Sequence, residues 1–187
     1  MFTTDVLTGK KVTLKMCGTK YATEEYVNWL NDPQVNRFLW VRYERQTLEK
    51  ITDYINEIRE SEDKIIFAMI ESSQNKHIGN IQLTFNKIHK YCNFGYFIGD
   101  KNFWGQEIAV EAIHLAIKWA FETTDTVRIN GSLYSRNVFS LKTLLKAGFH
   151  KEAVLKDYLT WKDDARDDMV LMYLFREEFE KTGLLEH

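Results

Sequence analysis

Proline is nearly absent. Pro33 is the only one in 187 residues, and no Pro-, Gly- or Ser-rich tract or low-complexity run separates one part of the chain from another. Cysteine is almost as scarce. Cys17 and Cys92 lie far apart, which excludes a disulfide framework and points to a reducing, cytoplasmic setting. Each reads as a small buried hydrophobe rather than a nucleophile. No apolar run approaches the roughly 20 residues of a membrane span, and residues 1–5 lack the pattern of a signal peptide. Charge of one sign is missing too: the net charge is -2 with acids and bases interspersed, so there is no electrostatic footprint for nucleic acid. His77, His89, His114 and His150 show no metal-ligand spacing, so no metal is expected. There is no Gly-Lys-Ser/Thr phosphate loop and no Gly-x-Ser-x-Gly elbow, which removes the sequence signatures of P-loop NTP hydrolysis and of the α/β-hydrolase nucleophile.

What remains is a core-rich chain with 44% hydrophobic and 14% aromatic residues. Residues 1–184 read as one domain, and Leu185, Glu186 and His187 as the remnant of an expression tag. Residues 11–16 alternate as a strand with one buried face. A helix follows over 21–30, stopped by Asn31-Asp32-Pro33. Residues 35–46 mix Phe38, Leu39, Trp40, Val41 and Tyr43 with Arg37, Arg42 and Arg45, and serve either as core or as the lining of an acceptor pocket. Thr47 caps a second helix with Leu48, Ile51, Tyr54, Ile55 and Ile58 on one face. Three antiparallel strands then follow over 64–71, about 80–85 and 91–98. A helix from Ile108, a strand over 126–134, a helix over 138–147 closed by Gly148, and strands over 149–159 and 169–175 complete the order. A charged hairpin joins the last two, and residues 176–181 read as a solvated helical turn.

The stretch from Gly95 to Ile113 organises the rest. It is a strand, a tight glycine-containing loop and a helix start. The first N–H groups of a helix have no partner within it and carry partial positive charge, so a phosphate can sit there without a cationic side chain.

Four pieces, in this order and spacing, resemble the GCN5-related N-acetyltransferase (GNAT) superfamily, in particular its ribosomal-protein alanine acetyltransferase-like branch. They are Gly95-Tyr96-Phe97-Ile98-Gly99-Asp100-Lys101; Phe103-Trp104-Gly105-Gln106 through Glu111-Ala112-Ile113; Asn137-Val138-Phe139-Ser140 with Lys146-Ala147-Gly148-Phe149; and Asp168-Met169-Val170-Leu171-Met172. The resemblance implies an α+β fold in α/β/α layers. Its mostly antiparallel sheet would have about seven strands, a splayed central parallel pair and about four flanking helices. It implies acetyl-CoA as co-substrate, with the pantetheine arm along Phe97, Ile98 and Gly99. The pyrophosphate would lie on the amides of Trp104, Gly105, Gln106, Glu107, Ile108 and Ala109, with Asn137 and Ser140 beside the cofactor arm.

Direct transfer to an amine needs a fixed donor for the tetrahedral oxyanion, and the backbone N–H of Ile98 is the candidate. It also needs a proton acceptor for the amine. Three positions depart from the family's common pattern. Glu107 stands where glycine is usual, Leu144 replaces a tyrosine seven residues after the asparagine, and Asn93 replaces a glutamate two residues before Gly95. Ser140 is then the nearest hydroxyl for the leaving thiolate, or simply a polar residue in a first helical turn. Asp157 and Asp168 are candidate bases, or structural carboxylates. The acceptor reads as a small-molecule or peptide amine. A nucleotide-linked amino sugar leads, from the resemblance of residues 29–39 to branch members acting on such sugars. A protein N-terminal amine is next, then a polyamine or an aminoglycoside. Arg37, Arg42 and Arg45 are candidates for an anionic acceptor. The competing class is a non-catalytic CoA-binding module. Nucleic acid and membrane are not expected as partners, and the chain is compatible with a monomer or a homodimer.

Overall fold

The computed structural model describes residue 2 and residues 6–161 and 165–182. The expected tag remnant and the tip of the charged hairpin lie outside these residues. Strands β1 (Leu7–Thr8) and β2 (Val12–Met16) are followed by helices α1 (Glu24–Asn31) and α2 (Leu48–Glu60). Then come β3 (Lys64–Glu71), β4 (Lys76–Asn86), β5 (Tyr91–Ile98) and α3 (Ile108–Thr123). The chain continues through β6 (Arg128–Tyr134), α4 (Val138–Lys146), β7 (His150–Thr160), β8 (Arg166–Phe175) and α5 (Arg176–Glu180). All eight strands form one sheet in the order β1-β2-β3-β4-β5-β6-β8-β7. Every pairing is antiparallel except β5 with β6. The sequence predicts about seven strands and four helices. The described residues hold eight and five, the additions being the two-residue edge strand β1 and the short α5.

Strand alternation divides the molecule into two cores. Phe67, Met69, Ile81 and Leu83 point to the face covered by α3 and α4, where they meet Ile113, Ala116, Ile117 and Leu144. Ile66, Ala68 and Ile70 point to the other face and pack with Tyr26, Trp29 and Leu30 of α1 and Ile51, Ile55 and Ile58 of α2. This is why β3 reads as continuously apolar: both of its faces are covered. Cys17 and Cys92 are fully buried, one in each core. Burial pushes both thiols up to about 12, so neither is a nucleophile near neutral pH.

Local signals set the helix ends. Thr47 caps α2 by accepting the Lys50 N–H. Gly148, with φ 91°, sits just beyond the last turn of α4. The first helix differs from its sequence reading. A 3-10 turn, Thr19–Tyr21, precedes it, and α1 starts only after Thr23, whose hydroxyl accepts the Tyr26 N–H. Glu24 and Glu25 then occupy the first turn, where negative charge suits the helix dipole.

The C-terminal turn is not merely solvated. Phe179 is 1% exposed and packs on the rings of Phe121 and His114. Arg176 lies over Phe121 and donates to the carbonyls of Thr124 and Thr126 at 2.7–2.9 Å. One aromatic among charges carries too little periodicity to announce this. Phe179→Ala should therefore lower unfolding free energy by about 3 kcal/mol, as for other buried Phe truncations, measured by urea denaturation. A loss under about 0.5 kcal/mol, the range of ordinary surface changes, would restore the solvated reading.

Candidate active site

Strands β5 and β6 stay paired over only three steps, from Tyr91 opposite Arg128 to Asn93 opposite Asn130. Beyond them the ring of Phe94 lies against Gly131, and the strands part. The Gly99 N–H donates to the Ile78 carbonyl at 2.8 Å. In an antiparallel ladder that makes every second residue of β5, Gly99, Phe97 and Gly95, the one bonded to β4. Tyr96 and Ile98 consequently turn their backbone groups to the open side. Of the three strand-end residues expected to meet a pantetheine arm, only Ile98 presents its N–H and C=O there. Its carbonyl already accepts the Trp104 indole N–H at 2.9 Å. Gly99 is needed for space: a side chain there would collide with the indole of Trp29.

A cavity of about 600 Å³ fills the gap. Tyr96, Asn137 and Ser140 stand on its wall, with Phe38, Leu39, Trp40 and Val41 from the irregular segment forming another side. The last four come from the stretch whose aromatics the sequence left open between core and pocket.

The loop into α3 is built from outside. Asp100 accepts the Asn102 N–H and pairs with Lys76 at 2.7 Å; burial opposes its charge, but the Lys76 contact leaves the carboxyl below its usual range. The Trp104 N–H is taken by the Lys101 carbonyl at 3.2 Å, so it does not join the amides free to meet an anion. Gly105 and Glu107 both adopt left-handed backbone, with φ 77° and 62°. For glycine this conformation is unstrained, and for glutamate it is not. Gln106 is held at both ends, its carboxamide donating to Asn102 O and its carbonyl accepting from Lys11 Nζ. Ile108 and Ala109 begin α3 and are buried. The Glu107 carboxylate points to α4, where Lys146 Nζ meets it at 2.6 Å and holds its pKa down. Glu111, one turn on, accepts the backbone N–H groups of Lys10 and Lys11 and ties α3 to the β1–β2 turn. Partners a hundred residues apart leave no mark in a local sequence pattern.

Asn137 caps α4, its side-chain oxygen accepting the Ser140 N–H at 3.2 Å. The Ser140 hydroxyl is met at 3.3 Å by the phenol of Tyr96, a residue whose side chain has no role in the sequence reading. Burial pushes that phenol up, so it stays protonated. Leu144 lines the same wall without a polar group.

Asp157 and Asp168 are not brought to the cavity wall. Asp168 accepts from Lys156 Nζ at 2.8 Å and from the Asp157 N–H at 3.0 Å, and the lysine contact lowers its pKa. Asp157 sits in the β7 bulge with φ 49°. Asn93 does line the cavity, its side-chain oxygen accepting from Asn130.

Behind the wall residue Tyr134 lies Arg42. Its guanidinium donates to Tyr43 OH, Tyr134 OH and Thr160 O at 2.6–2.9 Å, and to Arg37 O. It also lies 4.7–5.0 Å from the rings of Tyr43, Tyr134 and Trp161. With Nη1 and Nη2 both engaged, Arg42 acts as a brace on Tyr134. Asn80, Gln82 and Thr84 run along the floor, opposite Phe97, Gly95 and Asn93 of β5. Lys50 is the one ionised side chain among the described residues of the wall, and it is paired with Glu44 at 2.9 Å.

Comparison with known proteins accounts for this arrangement. The profile of the "Acetyltransferase (GNAT) domain" matches residues 13–150. The probable N-acetyltransferase YjcK of Bacillus subtilis is 32% identical over 129 residues, covering 67% of this chain and 70% of that protein. The [ribosomal protein uS5]-alanine N-acetyltransferase of Escherichia coli is 30% identical over 116 residues, 58% of this chain and 59% of its own. Among solved structures, the spermidine N-acetyltransferase of Vibrio cholerae, in complex with CoA and spermine, superposes with TM-score 0.81 at 18% identity, covering 91% of this chain and 98% of that one. RimL, a ribosomal L7/L12 α-N-protein acetyltransferase in complex with CoA, gives 0.80 at 15% identity, covering 91% and 98%. The last two attest the fold alone. On the breadth of the profile match and the YjcK identity, the chain belongs to the GNAT acetyltransferase family, with acetyl-CoA as its co-substrate.

Proposed function

We propose that this acetyltransferase transfers the acetyl group directly to a primary amine carried on a neutral or anionic body. The class is a nucleotide-linked amino sugar or a peptide N-terminus. The observation that carries this is the cavity wall. Its described residues offer amides, hydroxyls, aromatic rings and one compensated lysine, and no carboxylate. A polyamine or aminoglycoside brings several ammonium groups, each of which loses hydration on entry and needs a counter-charge.

In this reading the Ile98 N–H, at the open edge, donates to the oxyanion formed when the amine attacks. The amides from Gly105 to Ala109, where the loop turns into α3, hold the pyrophosphate, and the carboxamide nitrogen of Asn137 remains for the cofactor arm. The acceptor ammonium loses its proton to water in the cavity, since Asp157 and Asp168 are tied to one another and to Lys156 off its wall.

Release of free CoA across an amine panel tests the acceptor. Nucleotide-linked amino sugars or peptides with a free N-terminus should support turnover, and spermidine and aminoglycosides should not. Preference for spermidine would overturn the reading. No turnover with any amine, alongside thermal stabilisation by acetyl-CoA, would replace it with a CoA-binding module.

The loop gives a second test. Glu107→Gly relieves a left-handed glutamate, removes a carboxylate and frees Lys146 beside the proposed phosphate site. Acetyl-CoA should bind more tightly, by no more than about fivefold, the range of an exposed ion pair, measured by calorimetry. An unchanged or weaker Kd would place the pyrophosphate away from this loop.

A further inference from the structure

Tyr96 of β5 and Ser140 of α4 meet on the cavity wall, with the phenol oxygen 3.3 Å from the serine hydroxyl. Thr143, one turn further along α4, donates its own hydroxyl proton to the Phe139 carbonyl at 3.0 Å and also lies beside the Tyr96 phenol, whose single proton goes to Ser140. The Tyr96 ring is held in place by Phe94, 6.2 Å away and within 4° of parallel, and Phe94 is backed by Phe149 at 5.1 Å. A hydroxyl has one donor and two acceptor sites. Once Ser140 Oγ accepts from Tyr96, its own proton must point elsewhere, and the cavity is the open direction.

We propose that Tyr96 is a positioning residue that fixes the Ser140 hydroxyl as hydrogen-bond donor to the CoA thiolate as it leaves. The proposal rests on the reading above, in which the acyl carbonyl is held by the Ile98 N–H. Tyr96 lies two residues earlier on the same open edge, about 7 Å along the strand. That is within reach of a sulfur bonded to that carbonyl carbon. In the transfer, the amine nitrogen forms the C–N bond, the C–S bond breaks and sulfur keeps the electron pair. The Ser140 O–H donates to the sulfur anion. The ammonium loses one proton to water before it attacks, and the nitrogen loses a second to water as the amide forms. The thiolate takes one back from water on release, so one net proton enters the solvent and no protein group changes its protonation. The design replaces the missing tyrosine at Leu144 with two weaker hydroxyls arranged in series.

The bound thiol itself supplies the test. Its titration is followed as the ultraviolet difference between the complexes with CoA and with acetyl-CoA, and it needs no acceptor. Tyr96→Phe keeps the ring and removes only the donor. The bound thiol should titrate about one pH unit higher in Tyr96→Phe than in the unsubstituted protein, the scale of one charge-assisted hydrogen bond. Ser140→Ala should raise it at least as far, and the double variant no further than Ser140→Ala alone, because the phenol acts only through the serine. With an amine that turns over, Tyr96→Phe should lower kcat about tenfold and leave KM for acetyl-CoA unchanged.

A thiol titration that is the same in Tyr96→Phe and in the unsubstituted protein would overturn the proposal, as would additive shifts in the double variant. A purely structural tyrosine would show itself as a lower melting temperature and weaker CoA binding with the thiol titration unmoved. Failure of the whole amine panel with acetyl-CoA still bound would overturn the transfer reading and leave the thiol titration to judge the Tyr96–Ser140 pair, whereas failure to bind CoA at all would overturn both.

Discussion

Two neighbouring strands that stop bonding inside a folded protein impose the constraint on which the rest of this molecule depends. Backbone N–H and C=O groups buried without partners are costly. Past Asn93 and Asn130, one edge of β5 faces a gap rather than β6. The molecule contains that cost locally. Phe94 fills the crotch against Gly131, and the Trp104 indole covers the Ile98 carbonyl. What is left over, the donor side of the Ile98 edge, is the group proposed above for the thioester oxygen. In that proposal, a defect in a sheet and a site for acyl transfer are the same feature.

The two cores on either side of the sheet hold that gap open from opposite directions. The α3 and α4 core fixes the loop and the Asn137 cap, while the α1 and α2 core supplies Trp29 beneath Gly99, and β4 supplies the polar floor of Asn80, Gln82 and Thr84. The loop is further pinned by contacts distant in sequence. Lys11 holds the Gln106 carbonyl, Glu111 takes two amides before β2, and Glu107 reaches Lys146. The proposed cofactor and acceptor ends of the cavity are thus supported by different elements.

Much of the fold was legible because it is written at short range. Thr47, Asn137 and Gly148 mark helix ends by local chemistry, and the alternation of Ile81, Leu83 and Phe85 marks a strand with one core face. The order of motifs from Gly95 to Met172 then carried the family. The parts that were not legible depend on pairs brought together only by folding. Arg42 looked like a receptor for anions until its donors were seen engaged by Tyr43, Tyr134 and Thr160. Asp157 and Asp168 had suitable chemistry, but strand direction and a bulge place them off the wall. Tyr96 was hidden in a motif recognised for its backbone, and nothing in a linear pattern tells that its phenol meets Ser140.

The brace at Arg42 bears on how acidity acts on this protein. An amine acceptor is usable only as pH rises far enough to strip its ammonium proton. A roof held by an ordinary titrating pair would loosen over part of that range. A guanidinium keeps its charge throughout. Burial would raise the Tyr43 phenol, but contact with Arg42 draws it below its ordinary value, so ionisation there would tighten the grip on the cation. The pocket's shape is therefore insulated from the very variable that arms its substrate.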